Sequence, residues 1–259
     1  MNKVFKNLFL VLVLFLVLPG VTMAQEGPKA SYANGVLTVN GVRYEMVSIP
    51  GGTFQMGSNS GDANEKPVHS VTINSFYIGK TEVTQGLWQA LMGENPSNFK
   101  KGNNYPVEQV SYDDCIKFIN KLNDLTDGSF RLPTEAEWEY ACRAGTSGDS
   151  YGDLDAIAWY ADTSGAETHA VGKKQPNAWG LYDMLGNVWE WCRDWYDENF
   201  YSNSPAQNTK GPAAGSGRVV RGGSWGVVAG DVRSANRGGS EPGNRGHGIG
   251  FRLASGSGG

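Results

Sequence analysis

Cysteine and histidine are scarce, with three residues of each type in a chain of 259. No Cys-x-x-Cys pair occurs and the histidines are scattered, so the sequence does not indicate a zinc site. An odd number of cysteines allows at most one internal disulfide bond. No local base accompanies Cys115, Cys142 or Cys192, which lie in apolar surroundings, so we predict three buried structural thiols.

Long hydrophobic runs and an excess of basic charge are also absent. The longest apolar run, residues 8–18, is about half of the roughly 20 residues that cross a membrane, so we expect no transmembrane anchor. The formal net charge of −4 gives no reason to expect a nucleic-acid partner.

The first 24 residues have the pattern of a secretory signal peptide. Lys3 and Lys6 precede the apolar run, Pro19-Gly20 ends it, and small residues at 22–24 suit cleavage. No cysteine follows the run, which argues against lipid attachment. We therefore expect a signal peptide over residues 1–24 and a secreted, periplasmic or cell-surface protein.

Glycine and aromatic residues are abundant, with 36 Gly, eight Trp and eleven Tyr. This composition favours a loop-rich domain held by aromatic anchors over a helical bundle. Asn40-Gly41 lies between alternating apolar and polar residues and predicts a hairpin, and residues 69–84 predict a strand or a pair of strands.

Three helices are predicted from their start signals and apolar spacing. One runs from Thr84 through Met92, the second begins after Ser111 as N-cap, and the third begins at the Thr134/Glu137 capping box. Beyond residue 143 the helical period fades. Neither a second linker nor a repeat is visible, so one domain is expected.

Six motifs occur in the order found in the formylglycine-generating enzyme (sulfatase-modifying factor) superfamily. They are IPGGTFQMGS, YPVEQVSYDD, RLPTEAEWEYACRAGT, NAWGLYDMLGNVWEWCRDWY, RVVRGGSW and IGFRLA. The resemblance covers residues 45–254 and implies an α+β, C-type lectin-like fold of the formylglycine-generating-enzyme type, with few short strands and helices. Residues 25–44 would then form an N-terminal hairpin segment, and residues 255–259 a flexible tail.

The resemblance does not imply the family's catalysis. Oxidase members hold copper with two cysteines shortly after the RGGSW motif, but here that stretch reads GVVAGDV and no cysteine follows Cys192. Other members use a histidine iron site on an added domain, which is absent, and His69, His169 and His247 are far apart in sequence. We therefore predict no copper and no enzymatic activity.

Residues 225–249 resemble the hypervariable region of the variable proteins of diversity-generating retroelements. In those systems adenine randomisation turns Asn codons into codons that cannot specify Glu, Lys, Gln, Met or Trp. The thirteen positions between apparent anchors all satisfy this rule. These gap positions are Gly226, Val227, Val228, Gly230, Asp231, Gly238, Gly239, Ser240, Gly243, Asn244, Gly246, His247 and Gly248.

Freely varied positions have to face solvent, because core truncations cost about 2–5 kcal/mol each and a domain has only about 5–15 kcal/mol in total. The alternating residues should form a buried frame beneath them, with arginines on buried carbonyls or carboxylates. The frame residues are Arg221, Trp225, Arg233, Arg237, Pro242, Arg245, Ile249, Phe251 and Arg252. The alternatives are a plain glycine-rich surface loop and a basic ligand patch.

The family also places calcium on oxygens that correspond to Asp183, Gly186, Val188 and Glu190. Two carboxylates and two loop carbonyls suit a hard cation, so one structural Ca²⁺ is expected. The alternative assigns Asp183 to a turn and Glu190 to an ion pair with an arginine.

Two classes of function remain. The first is a non-catalytic display protein whose variable surface binds a protein or a cell-surface ligand. The second is a divergent sulfatase-modifying-factor-like enzyme, and a structural scaffold with this fold is a third possibility.

Overall fold

The computed structural model describes residues 27–256, so the predicted signal peptide lies outside the described residues. The described part contains short strands, short helices and long connections. The strands are β1 (Ala30–Ala33), β2 (Val36–Val39), β3 (Val42–Ile49), β4 (Gly52–Met56), β5 (His69–Ile73), β6 (Phe76–Gly79), β7 (Trp189–Trp195), β8 (Arg218–Arg221), β9 (Arg237–Ser240), β10 (Ile249–Gly250) and β11 (Ala254–Ser255). The helices are α1 (Gln85–Met92), α2 (Tyr112–Asn123), α3 (Glu135–Arg143) and α4 (Leu154–Ile157).

The three predicted helices are confirmed; α2 and α3 begin at their predicted caps, and Thr84, the predicted first residue of α1, is its N-cap. The Thr84 side chain accepts from the Leu87 N–H at the start of α1, and Ser111 does the same for Asp114 at the start of α2. Thr134 and Glu137 form the predicted capping box of α3. The sequence did not predict α4, because a single turn has no measurable helical period.

The N-terminal hairpin is part of a larger sheet. Asn40-Gly41 joins β2 to β3 with Val39 opposite Val42, as predicted, and both turn residues have positive φ. The strand β3 continues across residue 45 and pairs with β6. The predicted division between a segment 25–44 and a domain 45–254 is therefore wrong, since one strand belongs to both.

The predicted strand pair in residues 69–84 forms two strands that do not pair with each other. β5 pairs with β4, whereas β6 lies between β3 and β11 in the sheet β1-β2-β3-β6-β11. Pairing with β6 buries Ser255, which corrects the expected start of the flexible tail at residue 255. Residues 257–259 lie outside the described part.

A four-stranded sheet in the order β10-β7-β8-β9 holds the candidate site. Its central strand β7 buries Trp191 and Cys192, and Trp191 Nε1 donates to the Val110 carbonyl at 3.0 Å. Cys115, Cys142 and Cys192 are all buried and free, as predicted. Over residues 27–256, no helix is both long and apolar enough for a membrane crossing.

Candidate binding surface

The segment with the thirteen gap positions begins at a glycine turn after β8. Gly222 and Gly223 have φ values of 97° and 79°, which L-residues with a side chain rarely adopt. A Cβ at Gly223 would lie 3.1 Å from methyl groups of Val227 and of Val232. The turn thus requires glycine, and it packs the start of the segment onto the sheet.

Two frame arginines occupy a buried network of carboxylates on α3. Arg237 donates from Nε and Nη2 to the two oxygens of Glu135 at 2.6 and 2.9 Å, and its guanidinium stacks on Tyr201 at 3.9 Å. Arg221 pairs with Glu139 and is fully buried. Arg237 and Glu135 form a bidentate pair, and Arg221 donates through Nη2 to Glu139 and to the Ser234 carbonyl. Both arginines thus lie on buried carboxylates, as predicted.

The last frame arginine ties the end of the segment to β7. Arg252 Nε and Nη2 donate to the two oxygens of Glu190 at 2.6 Å each, and Nη1 donates to the Gly79 carbonyl. The neighbouring Phe251 is fully buried and stacks edge-on against Trp88 and Phe118. These contacts confirm Phe251 and Arg252 as frame residues.

Some predicted frame residues lie at the surface. Trp225 is only partly buried, contacts the Phe99 ring at 5.5 Å and donates to the His247 carbonyl at 3.0 Å. Arg245 is exposed and pairs with Asp114. Ile249 and Pro242 are half-buried as well. The frame is thus buried at its two ends and at Arg237, and it is partly solvent-exposed at the positions between them.

None of the thirteen gap positions is buried, and all of them belong to the described part of the chain. Val228 is 62% exposed, and the side chains of Asp231, Asn244 and His247 also face solvent. The intervening Val232, Ser234 and Ala235 are buried. The gap positions are thus exposed or half-buried, as predicted, whereas the fully buried residues of the segment include only some of the predicted frame.

The gap glycines differ from the glycines of the turn. None of the seven has a φ in the left-handed region, so their backbone accepts any L-residue. A Cβ at Gly226, Gly230 or Gly243 would meet no atom within 4 Å. Glycine is therefore not required by the backbone at these positions.

The gap positions form three tracts, which are residues 226–231, residues 238–240 in β9 and residues 243–248. Added side chains have the least room in the β9 tract. A Cβ at Gly239 would lie 2.6 Å from the Tyr196 ring, and one at Gly238 would lie 2.9 Å from a Val220 methyl group. A Cβ at Gly248 would be tight at 3.1 Å from Ser224 Oγ. The expectation of equal freedom at all thirteen positions is therefore wrong for Gly238 and Gly239, where a side chain requires its neighbour to move.

Hydrogen bonds connect the three tracts. The bond from Trp225 to His247 joins the first tract to the last, and Asn244 Nδ2 donates to Ser240 Oγ at 2.9 Å to join the last to β9. Loops distant in sequence support them: the Gln109 N–H donates to the Gly246 carbonyl. Sequence reasoning missed Phe99 and Gln109, because nothing local predicts these tertiary contacts.

Comparison with known proteins gives the family. A family model described as "Sulfatase-modifying factor enzyme 1-like domain" matches residues 38–256. The chain belongs to this sulfatase-modifying factor family. The predicted resemblance is thus confirmed, and the match begins inside β2, in agreement with the sheet that crosses residue 45.

Solved structures with similar folds include a variable protein and PvdO. Treponema denticola variable protein 1 matches with a TM-score of 0.80 and 37% identity, over 85% of this chain and 98% of that one. PvdO from Pseudomonas aeruginosa matches with a TM-score of 0.76 and 30% identity, over 82% and 94%. These neighbours confirm the expected α+β, C-type lectin-like fold of the formylglycine-generating-enzyme type.

Curated relatives carry different names. Serine/threonine-protein kinase pkn1 of Chlamydia pneumoniae is 34% identical over 81% of this chain, which spans only 38% of that protein. Chaperone protein LppX of Paenibacillus barcinonensis is 31% identical, over 78% of this chain and 85% of LppX. The formylglycine-generating enzyme of Streptomyces coelicolor is 28% identical, over 81% and 88%.

In this member of the sulfatase-modifying factor family, the two predicted carboxylate ligands of calcium differ in their hydrogen-bond partners. Both oxygens of Glu190 accept from Arg252, and Oε2 also accepts from Trp138 Nε1 at 2.7 Å, as in the ion-pair alternative. Asp183 accepts from the Gly172 N–H through Oδ2, whereas its buried Oδ1 has no hydrogen-bond partner among residues 27–256. Asp183 therefore fits a cation better than Glu190 does, and calcium stays a prediction.

A third acidic residue lies beside Asp183. Glu82 is fully buried, and neither of its carboxyl oxygens has a partner within the described residues. Burial, followed by the charge of Asp183, raises the pKa of Glu82 well above its usual value, and burial raises the pKa of Asp183 to about 6. A proton or a cation between the two carboxyls would relieve their repulsion. The sequence analysis missed Glu82.

The cysteines do not fit a copper–thiolate centre. Burial raises the pKa of Cys142 to about 12 and the pKa values of Cys115 and Cys192 well above the usual range. Cys115 belongs to one hydrophobic cluster, and Cys142 and Cys192 to the other. Copper in such sites is held by thiolates, and the stretch after Trp225 reads GVVAGDV, without a cysteine.

Proposed function

We propose that the chain is a non-catalytic, secreted or cell-surface ligand-binding protein that displays a variable surface on a lectin-type scaffold. The gap positions would be the variable surface of a diversity-generating retroelement protein. One observation carries this proposal: the gap positions face solvent, mostly with room for a side chain, and the segment that holds them is fixed by the buried, ion-paired Arg221, Arg237 and Arg252.

A plain glycine-rich loop explains the same segment less well. Loops need glycine where φ is positive or where a Cβ would clash. Gly226, Gly230 and Gly243 meet neither condition, so their glycine content has no conformational reason. A surface in which residue identity varies while the frame stays constant accounts for such glycines. The similarity to Treponema denticola variable protein 1 supports this interpretation.

The ligand contacts should come mainly from the first and last tracts. Residues 226–231 and 243–248 have open positions, whereas β9 is restricted by Tyr196 and Val220. Trp225 and Phe99 lie between these tracts and supply aromatic area of the kind that dominates binding hot spots. We expect a protein or cell-surface ligand at this surface.

A display library tests the proposal. Gly226, Val228, Gly230, Asn244 and His247 are randomised together, and a control library of equal size randomises five buried positions in or beside the same segment: Arg221, Val232, Arg237, Phe251 and Arg252. We expect most members of the first library to fold, because exposed substitutions usually change stability by within about 0.5 kcal/mol, and few members of the second. Selection on hen egg-white lysozyme should yield binders from the first library only.

Two results would contradict the proposal. One is a first library that folds no more often than the control. The other is a gene neighbourhood that contains neither a near-copy of the segment encoding 225–249, altered at adenines, nor a reverse transcriptase.

The enzyme alternative has its own test. Copper-loaded protein is incubated with a cysteine-containing sulfatase peptide, and the aldehyde is measured by mass spectrometry. We expect no conversion, since buried thiols with raised pKa values are poor copper ligands. Turnover that disappears when Cys115, Cys142 or Cys192 is replaced would support the enzyme instead.

A further inference from the structure

A second concave site lies outside the variable surface. A cavity of about 550 Å³ opens between the β4 end with its following loop, the α3 end with its following loop, and Trp179. Its volume falls within the range of small-ligand sites. None of its lining residues comes from residues 225–249, so it is independent of the proposed variable surface.

Three aromatic rings form one wall of this cavity. Tyr140 contacts Phe54 at 5.2 Å and Trp179 at 4.9 Å between ring centroids. The Tyr140 hydroxyl donates to the Pro50 carbonyl at 3.2 Å, which fixes the central ring. Phe54 and Trp179 are only partly buried and therefore present apolar ring surface to the cavity.

Polar groups without strong net charge form the rest of the lining. The exposed side chains of Gln55, Asn59, Thr146 and Asp149 offer amide, hydroxyl and carboxylate groups for hydrogen bonds. The Arg143 guanidinium is buried and donates to Glu139 at 2.8 Å and to two loop carbonyls, so it is not open to a ligand. An anionic ligand therefore finds no free cation on this wall.

The same arginine makes the cavity rigid. Arg143 Nη2 donates to the Gly57 carbonyl at 3.0 Å, and Nη1 donates to the Gly148 carbonyl at 2.9 Å. Glu139 also accepts from the Gly57 N–H at 2.9 Å. Both loops that flank the cavity are thus fastened to α3, and a preformed site loses less free energy in ordering itself around a ligand.

We propose that this cavity binds a neutral carbohydrate. Sugar rings have apolar C–H faces that pack on aromatic rings and hydroxyl edges that need amide, hydroxyl and carboxylate partners. The cavity combines both features, and its lining offers no exposed cation to an acidic ligand, whereas the Asp149 carboxylate can accept from sugar hydroxyls. A purely apolar ligand would leave the polar groups of the lining without partners.

The intact mature protein is titrated with maltose, cellobiose, lactose and N,N′-diacetylchitobiose, with saturation-transfer NMR and tryptophan fluorescence as readouts. We expect at least one sugar to bind at millimolar concentration. Trp179→Ala should weaken that binding by roughly tenfold or more, because it removes the aromatic platform. Trp225→Ala is the matched control on the variable surface and should bind the sugar like the wild type.

Asn59→Ala and Asp149→Asn provide a second pair of variants, since both side chains are exposed and their replacement should leave the fold intact. Each should weaken sugar binding while the melting temperature stays unchanged. The proposal is overturned if none of the four sugars binds, or if binding persists in all three cavity variants. It is also overturned if Trp225→Ala abolishes sugar binding. A failure of the display library has no bearing on these outcomes.

Discussion

Glycine occupies residues 222, 223, 226 and 230, and at the residue scale these four are not equivalent. The first two require positive φ, whereas the last two accept a side chain without strain or contact. We predict that Gly226→Ser, Gly230→Ser and Gly243→Ser, singly or together, leave the free energy of unfolding unchanged.

The matched variant Gly222→Ser should lower that free energy by about 1–3 kcal/mol, because its Cβ would lie 3.0 Å from the Met184 carbonyl in a left-handed conformation. Urea denaturation measures both effects. Equal losses for Gly226→Ser and Gly222→Ser would show that the exposed glycines are structural after all.

A second prediction at this scale concerns the stability of variants of two arginines in the same segment. Arg237→Ala leaves Glu135 buried without its bidentate partner, so we expect a loss of about 3–5 kcal/mol in unfolding free energy. Arg245→Ala breaks an ion pair whose arginine is exposed and should leave the melting temperature nearly unchanged. Thermal unfolding compares the two variants. A larger fall in melting temperature for Arg245→Ala than for Arg237→Ala would contradict the structural role assigned to Arg237.

At the scale of elements, the loop that begins at the buried Asp183 leads directly into β7, which carries the buried carboxyl group of Glu190. Because Asp183 Oδ1 has no hydrogen-bond partner among residues 27–256 and the charge of Asp183 acts on the buried Glu82, we predict that calcium raises the melting temperature and that a chelator reverses the rise. Asp183→Asn should remove the calcium effect, and asparagine tolerates the positive φ of 52° found there. An identical melting temperature with calcium and with chelator would assign Asp183 a purely structural role.

Local signals and tertiary contacts explain which elements could be predicted. The helices α1, α2 and α3 begin at capping residues that act within four positions, so the sequence contains the whole signal. The pairing of β5 with β4 and of β6 with β3 and β11 depends on partners distant in the chain, and the sequence of these strands gives no register.

The same contrast holds for the candidate site. Alternation predicted which gap positions are exposed, because buried and exposed residues follow each other within the segment. The restriction at Gly239 comes from Tyr196, and the support of the last tract comes from Gln109. Neither contact can be inferred from the sequence of residues 225–249.

At the scale of the whole molecule, buried carboxyl groups make stability depend on pH. Burial, with a further contribution from Glu135, raises the pKa of Asp194 to about 8. The folded protein therefore holds a proton that the unfolded chain releases above about pH 4. The stabilisation from this group is complete in acid and is lost as the pH rises towards 8.

We predict that wild-type stability falls relative to Asp194→Asn between about pH 5 and pH 8, because the asparagine does not titrate. The amide can still accept the Glu135 N–H bond that Asp194 Oδ2 accepts at 2.9 Å. Chemical denaturation at several pH values gives the difference. A difference that stays constant with pH would show that Asp194 does not titrate in this range.

The short strand β10 places Ile249 opposite Trp189 and Gly250 opposite Glu190, directly before Phe251 and Arg252. A one-residue slip in a strand reverses the faces of its side chains. A change of length in the preceding loop that shifted β10 by one residue would thus turn Arg252 away from Glu190 and Phe251 out of the core. If the segment varies as proposed, base replacement keeps this register, whereas added or lost codons put it at risk.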